Sequence, residues 1–137
     1  MTETPLTPVG LLCRRKALGL SRAKLGERLG VNAGVIRSWE IGKSEPRDPI
    51  SIHMLLCALE DAALDCVDEL TAPADDETEA VRSLPTALFA YTRQEDYERH
   101  SRWAQTLPLS VYQVCVGHAY QLLADDGIPV EIISPYD

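Results

Sequence analysis

The chain has 137 residues, with thirteen Lys/Arg against twenty-one Asp/Glu, a net charge of −8 and 45% apolar residues. That length allows one domain or two small ones, each with a modest core. No apolar run reaches the 18 or more residues of a membrane span, and Met-Thr-Glu-Thr-Pro at the start lacks the form of a signal peptide.

In chain order, a first helix is expected from about Pro8 to Leu18, with Val9, Leu12 and Ala17 inward and Arg14, Arg15 and Lys16 mostly outward. A second spans about Arg22–Leu29 and a third about Ala33–Ile41. Ser21 and Asn32 stand where a side-chain oxygen can accept from the free N–H groups of a helix start. Gly30 and Gly42 stand where the chain leaves a helix, where positive φ is often needed. Leu20, Leu25, Leu29, Val31, Val35, Ile36 and Trp39 supply buried positions. A short helix bracing a second across a tight turn is the arrangement that lays the second helix in a DNA major groove.

After the loop 42–48 a longer helix opens, with Pro49 in its first turn, a position that tolerates the missing N–H. Ile52, Leu55, Leu56, Leu59, Ala63, Cys66, Val67 and Leu70 recur at three- and four-residue intervals, leaving an acidic outer face. Residues 72–84 read as an acidic linker between a domain at 1–71 and a smaller one at 85–137. In the latter a strand is expected at 86–91, helices at 94–103 and 110–124, a turn at Asp126-Gly127 and a strand at Val130–Ile133. The fold class is therefore mainly α, or α+β overall: an N-terminal bundle of four to five helices followed by a small β-α-α-β unit. Fifty residues bury little core alone, and pairing with a second copy would add burial and cover strand edges.

The net acidity hides an asymmetry. Residues 1–47 hold nine Lys/Arg and four Asp/Glu (+5), whereas 48–137 hold four and seventeen (−13). A basic unit joined to an acidic remainder suits a protein that meets DNA in one orientation.

Leu20-Ser21-x-x-x-Leu25-Gly26, Leu29-Gly30-Val31-Asn32, Val35-Ile36, Trp39-Glu40-x-Gly42 and Pro46 resemble the Cro/C1-type (XRE) helix-turn-helix family over roughly residues 8–70. That family usually has Gln where this chain has Arg22 and Ala where it has Gly26. The resemblance implies a sequence-specific transcriptional regulator. Phe89-Ala90-Tyr91, Glu95-Asp96-Tyr97 and a helix starting near Val111 are similar to the C-terminal half of anti-CRISPR-associated repressors. That likeness implies a dimerisation unit and a prophage-like setting.

On the third helix Gly34, Arg37, Ser38 and Ile41 lie opposite the buried positions, with Ala33 at the margin. Arg37, Gly34, Ala33 and Ser38 are the candidate base contacts. Arg37 is the only long donor among them, and its guanidinium fits guanine O6 and N7 with two bonds. Arg22, Asn32, Lys43 and Ser44, at helix starts and in the following loop, are the candidate phosphate contacts. Glu40 is unsuited to DNA; the resemblance implies that it pairs with Arg15 as a structural ion pair.

Catalysis finds little support. His53, His100 and His118 are far apart, and no Ser or Cys has a recognisable nucleophile setting. Cys13, Cys57, Cys66 and Cys115 form no Cys-x-x-Cys pair, so buried free thiols are expected rather than zinc ligands or a disulfide. No metal or cofactor is expected. His118, four residues from Val114 and Leu122, reads as a core or interface histidine. Tyr91, Tyr97, Trp103, Tyr112 and Tyr120 suit core or dimer contacts, or the lining of a small-molecule pocket. The leading expectation is a cytoplasmic, dimeric repressor that binds double-stranded DNA at an inverted repeat, its own promoter included. Two alternatives are an antitoxin whose C-terminal unit holds a toxin, and a ligand-sensing regulator.

Overall fold

A computed structural model describes residues 6–72 and 85–136. Six helices, one 3₁₀ turn and a two-stranded sheet are present among them. Of the linker expected at 72–84, residues 73–84 lie outside the described residues. Two compact units divide at Asp61/Ala62, inside a single long helix.

In the first unit α1 (Pro8–Leu18), α2 (Arg22–Leu29) and α3 (Ala33–Glu40) are followed by α4 (Pro49–Thr71), whose residues from Ala62 on belong to the second. Each start is capped as its sequence dictates. Thr7 Oγ1 accepts from the Gly10 N–H at 3.0 Å, Ser21 Oγ from Lys24 at 3.1 Å and Asn32 Oδ1 from Val35 at 3.0 Å. Asp48 takes both the N–H and the hydroxyl of Ser51, at 3.1 and 2.6 Å, and these bonds hold its carboxyl below the usual range. α2 ends on Gly30 at φ 73°, and Gly42 after α3 has φ 77°.

The turn joining α2 to α3 depends on Gly26. A Cβ there would stand 2.3 Å from the Val31 carbonyl oxygen, a backbone atom that cannot rotate away. The Val31 N–H donates to the Gly26 carbonyl at 3.0 Å, closing the same turn from the other side.

The core of this unit is Leu11, Leu18, Leu20, Leu25, Ile36, Ile52, Leu56 and Leu59. The inward face of α1 is rotated from the expected one. Leu11, Arg15 and Leu18 are buried, while Val9 and Ala17 are exposed and Leu12 is half-buried. Arg15 can be buried because its charge is answered inside, as described below.

In the second unit, β1 (Thr86–Phe89) leads to α5 (Gln94–His100), a 3₁₀ turn (Arg102–Gln105), α6 (Leu109–Asp125) and β2 (Val130–Ile133). The strands pair in parallel, Thr86 opposite Val130 through Phe89 opposite Ile133. Such a pair requires a crossover, which the helices provide. β1 is two residues shorter than expected, and Trp103 falls on the 3₁₀ turn rather than on α5. Tyr91, Tyr97 and Tyr112 form a buried aromatic cluster with ring centroids 5.2 to 5.9 Å apart. Tyr97 Oη donates to the Leu107 carbonyl at 2.6 Å and Tyr112 Oη to that of Phe89 at 2.9 Å. Burial first, then nearby groups, raises both phenols above their usual range.

α6 buries one apolar face and leaves another, His118 included, open. Its buried residues are Val111, Tyr112, Cys115, Val116, Ala119 and Leu123, whereas Val114, His118 and Leu122 are exposed. Cys66 and Cys115 are buried free thiols, but Cys57 is half-buried and Cys13 is exposed. The neighbouring Cys115 thiol, then burial, pushes the Cys66 thiol up.

Candidate nucleic-acid interface

α3 places its two faces in different surroundings. Ile36 and Glu40 are buried, Val35 and Trp39 half-buried, and Gly34, Arg37 and Ile41 exposed. Trp39, expected among the buried positions, is therefore only half-buried, and Ile36 and a carboxylate centre the inner face. The buried Glu40 is possible only because α1 and α2 each bring an arginine to it. Arg15 Nε and Nη2 donate to its two oxygens at 2.6 and 3.2 Å, and Arg22 Nε donates to Oε1 at 2.9 Å. Arg15 Nη1 also donates to the Leu20 carbonyl at 2.9 Å. Burial alone would raise the Glu40 carboxyl, but the hydrogen bonds of Arg15 and Arg22 outweigh it and hold it below its ordinary range.

Glu40 thus ties three helices at one point and fixes the angle at which α3 is presented. The Arg15 partnership was expected. Arg22 as a second partner was not, because side chains meeting across three helices leave no spacing signature. The Arg22 side chain remains 36% exposed beside the start of α2, and only its Nε is used on Glu40.

The candidate base contacts lie together. The Arg37 side chain has no hydrogen-bond or ion-pair partner among the described residues. Gly34 and Arg37 are exposed, Ala33 and Ser38 half-buried. A Cβ at Gly34 would come within 3.2 Å of the Asn32 cap oxygen, so the glycine also leaves room for that cap. Beside them Ile41 is 54% exposed, an apolar group of the kind that can meet a thymine methyl. Asn32, Lys43 and Ser44 are exposed. The loop after α3 folds back on its C-terminus, with the N–H groups of Lys43 and Ser44 donating to the Ser38 carbonyl at 2.9 and 3.3 Å.

On the far side of α1, Arg14 is half-buried rather than outward. It grips Glu60 of α4 at 2.9 and 2.6 Å and lies 2.8 Å from His53 Nδ1 and 3.5 Å from Cys57 Sγ. Three of the cations counted in the basic half, Arg14, Arg15 and Arg22, are therefore paired with glutamates of the fold. Among the described residues no group of His, Cys, Asp and Glu is placed to hold a metal ion, and no helix is long and apolar enough to cross a membrane.

Residues 14–52 match the helix-turn-helix family model. The segment is of the Cro/C1 (XRE) type and supports reading the chain as a DNA-binding transcriptional regulator. A search of curated proteins found no match.

Proposed function

We propose that the protein is a cytoplasmic, dimeric repressor that recognises an inverted repeat, with the second unit joining the copies. The observation that carries the reading is the outer face of α3. An arginine without a partner among the described residues stands there between Gly34 and Ile41, on a helix fixed from behind by a triply bonded carboxylate. In this reading Arg37 reads a guanine through two bonds, and Ala33, Gly34 and Ser38 approach neighbouring base edges. Arg22, Asn32, Lys43 and Ser44 contact phosphates and set the register without reading sequence.

Selection of bound sequences from random DNA tests it. The wild type yields an inverted repeat whose half-sites lie about 34 Å apart or a multiple of that. Arg37→Ala costs about 1–3 kcal/mol and relaxes one base pair per half-site. Lys43→Ala weakens all sequences alike and lowers the salt slope by about one unit. An unchanged preferred sequence in Arg37→Ala would remove the reading face from α3.

A further inference from the structure

We propose that two copies of the chain meet through the outer face of α6, antiparallel, with a two-fold axis passing beside Gly117. This rests on the dimer reading above and names its surface.

The first observation is charge. Residues 62–137 hold fourteen Asp/Glu and four Arg, a net −10, yet residues 103–124 contain no Asp, Glu, Lys or Arg. Most of that uncharged stretch is α6, whose outer face is open. Gln113, Val114, His118, Tyr120, Gln121, Leu122 and Ala124 are all exposed, with Val114, Tyr120 and Leu122 between 40 and 43%. Surface helices ordinarily carry charges there, and depletion of charge marks the centre of an interface. Two such acidic units repel wherever charged faces meet, and this face lets them approach without that cost.

The second observation is Gly117. A glycine inside a helix costs about 1 kcal/mol relative to alanine. Nothing among the described residues asks for it, since a Cβ there would meet no atom of theirs within 4 Å. Against a second helix the missing side chain permits close approach.

A second copy of α6 is a helix that fits this opening. An antiparallel pair crossing at residue 117 sets each position opposite the one equally far beyond it. Val114 then faces Tyr120 of the second copy and Gln113 faces Gln121, all four of them exposed. Apolar meets apolar and amide meets amide at these positions, which makes them self-complementary about a two-fold axis. Gln113 Nε2 is already used on the Tyr91 carbonyl at 2.8 Å, which leaves its Oε1 to accept from Gln121 of the second copy.

The test uses the full chain. Light scattering over a range of concentrations gives the dissociation constant of the wild type, and Gly117→Glu, which sets two carboxylates together at the axis, raises it at least tenfold. Gly117→Cys, made with Cys13→Ser because Cys13 is exposed, forms a disulfide-linked dimer under mild thiol oxidation. Glu98→Cys on α5, in the same background, does not. A wild-type dimer that survives Gly117→Glu, or that fails to cross-link through residue 117, overturns the α6 pairing and leaves the dimer reading standing. A wild type that stays monomeric at all concentrations overturns both.

Discussion

Arg14 and Arg15 are neighbours in sequence and sit in opposite electrostatic settings. One helical step of about 100° turns Arg14 to α4 and Arg15 to α3. Each finds a glutamate at 2.6 Å. The Arg14–Glu60 pair keeps 22% and 34% of its side chains exposed, whereas Arg15–Glu40 keeps 8% and none. Distance is the same; water is not. A pair open to solvent is screened and contributes little, while a buried pair costs desolvation when formed and much more when halved. The lesson concerns α3: the helix that faces outward is anchored by the interaction least tolerant of losing a partner.

The widest separation between the two sites should appear in Glu40→Ala, which leaves Arg15 buried without its counter-charge. A loss of about 3–5 kcal/mol in unfolding free energy is expected, measured by denaturant titration of the full chain. A smaller change follows acidification. Because the folded Glu40 carboxyl titrates below its unfolded value, its contribution is complete above about pH 4.3 and declines as pH falls through the folded value. Glu40→Gln removes that term, so its stability should fall less steeply than wild type as pH drops below 4.3; parallel curves would refute the assignment. The smallest effect belongs to Glu60→Gln, at about 0.2–1 kcal/mol and shrinking further in 1 M salt. Should Glu60→Gln cost as much as Glu40→Ala, the contrast between the two arginines would be void.

Sequence made the first unit legible where the backbone itself imposes the choice. Caps at Ser21 and Asn32, the positive φ of Gly30 and Gly42, and Pro49 in the first turn of α4 all follow from local chemistry. Helix phase was harder. In α1 an arginine occupies a core position, so a reading that sends charge outward rotates the helix and puts Val9 and Ala17 in the wrong place. In α6 apolar residues lie on both faces, and periodicity then cannot choose between Val114–His118–Leu122 and Cys115–Ala119–Leu123. The exposed stripe there is visible only once the fold shows which face is covered. Arg22 illustrates a third limit: its bond to Glu40 joins α2 to α3 through space, at a spacing no linear pattern encodes.

The Gly26 turn has a consequence for anyone who would reprogram this protein. Transplanting another regulator's reading residues onto α3 assumes that both scaffolds present that helix at the same tilt. The family resembled here usually carries alanine at this position, and with a Val31 carbonyl oxygen 2.3 Å from where a methyl would sit, this joint is closed more tightly than alanine permits. Residues moved in from an alanine-bearing scaffold would therefore arrive on a helix aimed differently. A graft designed for this chain has to keep the glycine and redesign the contacts to its own tilt.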